Sequence, residues 1–153
     1  MPVRDSSSSP AHVRILLVDD NANGLSARKT VLEELGHDID TALSGADALE
    51  KFARQKFDLV VTDYKMPRMD GLELIVRLRQ QAPGLPIILI SGFVDSLGLN
   101  ESNTGADVVI QKSANEVSHL VRSVARLLRK KPAKKPAASD GPPPRAKRKS
   151  IGS

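Results

Sequence analysis

The chain has 153 residues, of which 40% are hydrophobic, with no Cys and a formal net charge of +5. This length accommodates one domain with a buried core. The lack of Cys excludes disulfides, thiolate metal sites and cysteine nucleophiles. No apolar run reaches the roughly 18–20 residues that span a bilayer, and the Ser-rich N-terminus lacks the apolar segment of a secretory signal. We therefore expect a cytoplasmic protein with no membrane partner.

The net positive charge of the chain comes from its C-terminal tail. Residues 130–153 contain eight Lys or Arg and one Asp, a net charge of +7, which leaves −2 for residues 1–129. We expect residues 1–12 and this tail, rich in Lys, Pro and Ala, to be disordered, and residues 13–129 to form the folded domain. The tail could bind nucleic-acid phosphates without reading sequence, or it could be a solubilising extension only.

The elements along the chain alternate between apolar strands and amphipathic helices. Strands are predicted at 13–18, 38–42, 58–63, 87–90 and 108–110. Helices are predicted at 25–35, at 71–80 and, short or frayed, within 94–104. A further helix opens at Ser44 and includes residues 49–53, and the last helix, capped by Ser113 or Asn115, includes residues 117–128. Five strands thus alternate with five helices, joined by short loops.

The strands are apolar throughout rather than alternating, which is typical of a parallel sheet covered by helices on both faces. Right-handed crossovers then predict an α/β fold with a doubly wound sheet. Ligands of such sheets bind beyond the carboxyl ends of the strands.

Polar residues of a consistent type stand at those strand ends. Asp19 and Asp20 follow the first strand, Asp63 ends the third, Ser91 follows the fourth and Lys112 follows the fifth. Three carboxylates gathered in one crevice repel each other. A divalent cation relieves that repulsion, and oxygen ligands without His or Cys favour Mg²⁺.

The same set suits phosphoryl transfer. A carboxylate can attack phosphorus and form an acyl phosphate, and such a transfer depends mainly on placement and charge neutralisation. The residues therefore predict that Asp63 accepts a phosphoryl group, while Mg²⁺ and Lys112 neutralise charge and the Ser91 hydroxyl donates to a phosphoryl oxygen.

At these positions the chain resembles the response regulator receiver domains of two-component signalling, the family of the bacterial chemotaxis regulator. The resemblance covers residues 13–129. It rests on residues 15–21, 63–71, 91–92 and 105–107, the last leading to Lys112. It implies a flavodoxin-like fold with strand order 2-1-3-4-5. It also implies a bacterial signalling protein that is not an enzyme, beyond Mg²⁺-dependent transfer to its own Asp and hydrolysis of the product.

The resemblance assigns a role to each matching residue. Asp63 would be the phosphoacceptor, and Asp20 and Asp63 would bind Mg²⁺ through their side chains. Asp19 would hold the ion through water, and Lys65 would offer its backbone carbonyl. Ser91 and Lys112 would contact the phosphoryl oxygens.

The resemblance also implies partners. Because the chain has no Gly-rich nucleotide loop, we expect a histidine kinase to supply the phosphoryl group, docking on residues 22–28 and 113–116. The output would be a phosphorylation-dependent contact with an unknown protein target, by a monomer or a phosphorylation-linked dimer. Two alternatives remain: a phosphorelay shuttle, and a regulator associated with nucleic acid through its tail.

Two positions depart from the family pattern. Ser113 follows Lys112 where the family usually has Pro, so we expect a trans peptide bond there. Val109 stands where an aromatic residue commonly turns inward on activation. Phe93 could compensate for that missing aromatic side chain, or it could simply anchor its loop.

Overall fold

The computed structural model describes residues 13–134 and contains the predicted parallel sheet. Its strands are β1 (Arg14–Val18), β2 (Asp38–Ala42), β3 (Leu59–Asp63), β4 (Ile87–Ser91) and β5 (Val108–Gln111). They pair in the order β2-β1-β3-β4-β5, and every pairing is parallel. The α/β flavodoxin-like prediction is confirmed, including its strand order.

The central strands are buried along their whole length. All residues of β3 and β4 are buried, and only the first residue of β1 is partly exposed. Helices from both faces of the sheet cover these apolar strands, as the continuous Val, Leu and Ile runs predict. Fully buried side chains on three strands include Leu16, Val60 and Leu89.

The described residues form six helices rather than the predicted five. They are α1 (Ala22–Glu34), α2 (Gly45–Arg54), α3 (Gly71–Gln81), α4 (Val94–Leu97), α5 (Glu101–Thr104) and α6 (Glu116–Lys134). The difference arises within 94–104, where the sequence predicts one short or frayed helix and the structure contains two helices of four residues each.

Local backbone chemistry explains this division. Gly98 adopts a left-handed conformation with φ of 64°, which ends α4 at a position where a side chain would be strained. Asn100 then caps α5, because its side chain accepts a hydrogen bond from the Asn103 amide and its own amide donates to the Asn103 side chain. A stop and a new start so close together prevent one continuous helix.

The first helix begins three residues earlier than predicted. The Asn21 side chain accepts hydrogen bonds from the amides of Asn23 and Gly24, so residues assigned to a turn form the first helical turn. The spacing of Leu25, Val31, Leu32 and Leu35 predicts one buried apolar stripe, but Leu35 is 48% exposed whereas Arg28 is only 4% exposed. A cation therefore occupies part of the buried face of α1.

The last helix extends past the predicted end of the domain. α6 continues to Lys134, so residues 130–134 are helical and not disordered as predicted. The described residues divide into two compact units, one ending at Ser123 and a second that begins at Val124 and contains the C-terminal part of α6. The disorder predicted for residues 1–12 and 135–153 lies outside the described residues. Among residues 13–134, no helix combines the length and the apolar character needed to cross a membrane.

Charged side chains bond to the backbone of the two outer strands. On β2 the Lys51 ammonium donates to the carbonyl of Thr41. On β5 the Glu101 carboxylate accepts a hydrogen bond of 3.1 Å from the amide of Val109. Each outer strand thus has at least one backbone group bonded outside the sheet.

Candidate functional site

The carboxyl ends of four strands open onto one pocket. β3 and β4 end at Asp63 and Ser91, Asp19 follows β1, and Lys112 follows β5. All four residues line the same pocket, together with Asp20, Asn21, Lys65, Gly92 and Phe93. The predicted convergence of acids, a hydroxyl and an ammonium is thus present in the structure.

Three carboxylates form the acidic part of this pocket. Asp19, Asp20 and Asp63 each offer an oxygen, and these oxygens lie within 4.8 Å of one another. Asp19 and Asp63 are buried, whereas Asp20 is exposed. An all-oxygen donor set of this kind suits a hard divalent cation.

The Asp63 carboxylate is paired with the ammonium group of Lys112. Its Oδ1 lies 2.9 Å from the Lys112 ammonium. Apart from this ion pair, the buried Oδ1 has no hydrogen bond of standard geometry within the described residues. A buried oxygen left with spare capacity, beside two further carboxylates, fits the binding of a cation.

Burial raises the pKa of the Asp63 carboxyl above its usual value, and the nearby Asp19 charge acts in the same direction. The Lys112 ammonium and the Arg28 guanidinium oppose this rise without cancelling it. A carboxylate with a raised pKa is more basic and therefore a better nucleophile once it is ionised.

Ser91 is buried and held towards its own loop. Only 1% of its surface is exposed, and its hydroxyl oxygen accepts a hydrogen bond of 2.8 Å from the Phe93 amide. The Ser91 side chain thereby links the end of β4 to the loop that leads into α4.

The backbone beneath Asp63 is held by a close approach of α3. The Gly71 amide donates a 2.7 Å hydrogen bond to the carbonyl of Tyr64. A Cβ atom at Gly71 would lie 2.3 Å from the Asp63 carbonyl oxygen, too close for any side chain. Asp70 caps this helix by accepting from the Glu73 amide. The Asp70-Gly71 pair therefore begins α3 and also sets the position of Asp63 at the end of β3.

Lys65 lies at the mouth of the pocket. Its side chain is exposed, and its ammonium lies 5.3 Å from the centre of the Phe93 ring, which packs edge-to-face against Tyr64. These contacts connect the loops that follow β3 and β4. The role of the Lys65 carbonyl as a metal ligand stays a prediction.

The sequence reasoning missed a buried ion pair beside the acids. Arg28 of α1 donates through one terminal nitrogen to Asp19 Oδ2 at 2.9 Å, and through Nε and its other terminal nitrogen to Glu116 Oε2 at 2.9 and 2.7 Å. One signal was available, because Arg28 lies three residues after Leu25 and four before Leu32, on the apolar face of the helix.

The two departures from the family pattern have structural counterparts. The described residues contain no cis peptide bond, so the bond between Lys112 and Ser113 is trans as expected. Val109 is partly buried on β5 and offers no aromatic ring. Phe93 is 37% exposed and packs against Tyr64 rather than entering the core.

Comparison with known proteins identifies the family of this chain. A model of the response regulator receiver domain family matches residues 15–125. The chain belongs to this family. Receiver domains bind Mg²⁺ at a cluster of Asp residues, and the three carboxylates described above are consistent with such a site.

Individual relatives of this receiver domain are found in larger proteins. Over 119 residues the chain is 36% identical to the transcriptional regulatory protein PhoP of alkaline phosphatase synthesis in Bacillus subtilis, covering 74% of the chain and 48% of PhoP. Over 78 residues it is 44% identical to the sensor protein EvgS of Escherichia coli, covering 51% of the chain and 6% of EvgS. The chain thus spans less than half the length of either relative.

A solved structure of a response regulator resembles this chain over most of its length. The response regulator protein TrrA from Thermotoga maritima, determined in complex with Mg²⁺ and BeF, superposes with a TM-score of 0.67 at 37% identity. The match covers 75% of this chain and 98% of TrrA.

Proposed function

We propose that Asp63 accepts a phosphoryl group from a histidine kinase and that the resulting acyl phosphate changes the contacts of this chain with other proteins. The observation that carries the proposal is the ion pair of 2.9 Å between Lys112 and Asp63, which joins the ends of two strands beside Asp19 and Asp20. The chain would catalyse only this transfer to itself and the hydrolysis of the product.

In this reaction an Asp63 carboxylate oxygen attacks phosphorus while the bond from phosphorus to the donor breaks, and the electron pair of that bond leaves with the donor group. The Lys112 ammonium, already beside Asp63, pairs with the incoming phosphoryl oxygens. The Ser91 hydroxyl oxygen accepts from the Phe93 amide, which leaves its proton available for donation.

Asp19, Asp20, Asp63 and the Lys65 carbonyl are the groups we assign to holding Mg²⁺. When bound, the ion supplies neutralisation of charge on the transferring group. The carboxylates, Lys112 and Ser91 then orient the phosphoryl group in a pocket whose floor is the buried end of β3.

The Ser91–Phe93 contact suggests how the acyl phosphate would be sensed. If Ser91 turns towards a phosphoryl oxygen, it loses its hydrogen bond with the Phe93 amide, which is 2.8 Å long in this structure. Phe93 contacts Tyr64 and lies next to Lys65, so the loops after β3 and β4 would rearrange together. This route uses Phe93 in place of the aromatic side chain missing at Val109.

A direct test is incubation of the full chain with a small-molecule phosphodonor and Mg²⁺, followed by intact-mass measurement. We expect a gain of one phosphoryl group that hydroxylamine removes, as an acyl phosphate requires, and no gain when EDTA replaces Mg²⁺. A native chain that gains no mass would contradict the proposal. Phosphotransfer profiling against the histidine kinases of the same organism would then identify the donor.

A phosphorelay shuttle is the second candidate, and the match to a sensor protein favours it. A shuttle would pass its phosphoryl group from Asp63 to a histidine phosphotransfer protein. Labelled acyl phosphate that moves to such a protein would support this function, whereas label that is lost only by hydrolysis would favour a terminal regulator.

Replacement of Lys112 by Met should slow phosphorylation by the small-molecule donor by about 10²-fold or more, because a preorganised cation beside the developing charge is lost. Stability at neutral pH should also fall, because the buried Asp63 carboxylate loses the cation with which it is paired. The initial rate of mass gain under saturating Mg²⁺ measures the effect.

The matched control is Lys65→Met, which removes the same charge from the mouth of the same pocket but keeps the backbone carbonyl. We expect this variant to lose no more than a few-fold in rate. Equal losses in the two variants would show that Lys112 has no special position.

A further inference from the structure

Arg28 is a buried cation that the phosphoryl-transfer scheme does not use. Only 4% of its surface is exposed, and its guanidinium lies between two carboxylates, those of Asp19 and Glu116. Asp19 is itself 1% exposed, so this contact is shielded from water. Charges so placed interact much more strongly than charges on the surface.

Both oxygens of Asp19 are already engaged. Oδ1 accepts a hydrogen bond of 3.0 Å from the Asn21 amide, and Oδ2 accepts one of 2.9 Å from the Arg28 guanidinium. Gly24 keeps this arrangement possible, because a Cβ at that position would lie 3.1 Å from Asp19 Oδ2. The local backbone therefore leaves room for the guanidinium beside a predicted metal-binding carboxylate.

The charge balance of the pocket changes as a result. Its three carboxylates are opposed by two cations, Lys112 and Arg28, before any metal binds. The repulsion that a divalent cation would relieve is thus partly relieved by the protein itself. Glu116 limits this effect, because it accepts two hydrogen bonds from the same guanidinium and shares its charge.

We infer that Arg28 is a positioning residue of the metal site, a built-in counter-cation that lowers the affinity for Mg²⁺ to an extent set by Glu116. The inference rests on the proposed function, because it concerns the same carboxylates. It assigns opposite effects to two neighbouring residues: removal of the guanidinium charge strengthens Mg²⁺ binding, and removal of the Glu116 charge weakens it.

Mg²⁺ titration of the full chain tests this inference. Tyr64 follows Asp63, and the chain has one Tyr and no Trp, so Tyr64 fluorescence reports on the pocket directly. We expect Arg28→Gln to bind Mg²⁺ on the order of tenfold more tightly than the native chain. Glu116→Gln should bind Mg²⁺ about threefold more weakly, because the guanidinium charge of Arg28 is then no longer shared with Glu116 and neutralises Asp19 more fully.

Glu73→Gln is the matched control, since it breaks the exposed ion pair between Glu73 and Arg77 on α3 and should leave the Mg²⁺ affinity unchanged. Each variant is also compared with its own metal-free form by the rise in melting temperature with Mg²⁺, which separates affinity from basal stability. If Arg28→Gln does not fold, Glu116→Gln still decides the question.

Two results would overturn the inference and are distinguishable. Saturable Mg²⁺ binding by the native chain, with Arg28→Gln no tighter or Glu116→Gln no weaker, would exclude Arg28 as a determinant of affinity and leave the proposed function intact. No saturable response of the native chain in fluorescence or melting temperature would remove the metal site from the proposed function as well.

Discussion

Replacement of Asp63 by Asn should give a protein that accepts no phosphoryl group and yet is more stable than the native chain at neutral pH. The loss of function follows because an amide lacks the nucleophilic carboxylate oxygen that forms the acyl phosphate. Intact-mass measurement after incubation with the phosphodonor and Mg²⁺ should show the native mass gain to be absent in this variant.

The gain in stability follows from the pKa of Asp63, which burial raises above its usual value. A raised pKa means that the folded state binds the proton more tightly than the unfolded chain does. The stability from that proton is fully present below the unfolded pKa, and it is lost as the pH rises through the folded pKa. Above the folded pKa the native protein carries an ionised carboxylate at a cost, whereas Asn carries none.

We expect the variant to melt roughly 3–5 °C above the native chain in EDTA at pH 7, corresponding to about 1 kcal/mol. The difference should shrink as the pH falls through the raised folded-state pKa of Asp63, because the native carboxyl then becomes protonated. The unpaired Lys112 costs little, because its side chain is 39% exposed. Thermal unfolding at several pH values measures both the difference and its trend.

Asp95→Asn is the isosteric control, because Asp95 is exposed on α4 and outside the pocket. It should keep the native mass gain and the native melting temperature. An undiminished mass gain in Asp63→Asn would exclude Asp63 as the acceptor. A variant less stable than the native chain across the whole pH range would contradict the electrostatic reasoning.

Gly71→Ala should be among the most damaging single-methyl changes in this domain. The added Cβ would lie 2.3 Å from the Asp63 carbonyl oxygen and 3.0 Å from the Tyr64 Cα, both backbone atoms that no rotamer change can move. We expect the free energy of unfolding to fall by about 3 kcal/mol, because α3 must move away from the end of β3. Denaturant unfolding measures this loss.

The same displacement should slow phosphorylation, because it shifts the backbone that carries Asp63 away from Lys112. Gly84→Ala provides the comparison, since nothing lies within 4 Å of a Cβ there and the backbone is not left-handed. It should be neutral, or stabilise the fold by a few tenths of a kcal/mol. If Gly71→Ala and Gly84→Ala unfold at the same denaturant concentration, the close approach of α3 to β3 does not affect the free energy of unfolding and the prediction is wrong.

Much of the fold could be predicted because the central strands are apolar along nearly their whole length. A run such as Ile87–Ser91 can only be covered on both faces, which fixes a parallel sheet and brings the strand ends to one edge. The site residues Asp63, Ser91 and Lys112 follow directly from that edge, since each stands at the end of its strand.

The features that escaped prediction depend on contacts between distant parts of the chain. Arg28 interacts with Glu116, 88 positions away, and although its spacing places Arg28 on the apolar face of α1, nothing in the sequence pairs it with Glu116. The division of the fourth predicted helix has a signal in the sequence, because Gly commonly ends a helix and Asn commonly begins one, as Gly98 and Asn100 do here. Gly98 and Asn100 are poor helix formers, which predicts a short or frayed helix, but only the backbone conformation shows two separate helices.

The bonded edges of the sheet bear on whether another chain can add a strand to it. An outer strand with free amides and carbonyls is a template to which another chain can add a strand. Here an acid on α5 occupies an outward amide of β5, and a lysine on α2 occupies a carbonyl of β2. A strand from a second copy would have to displace these charged groups at either margin. The charged groups at both margins therefore oppose the addition of a strand from a second copy of the chain.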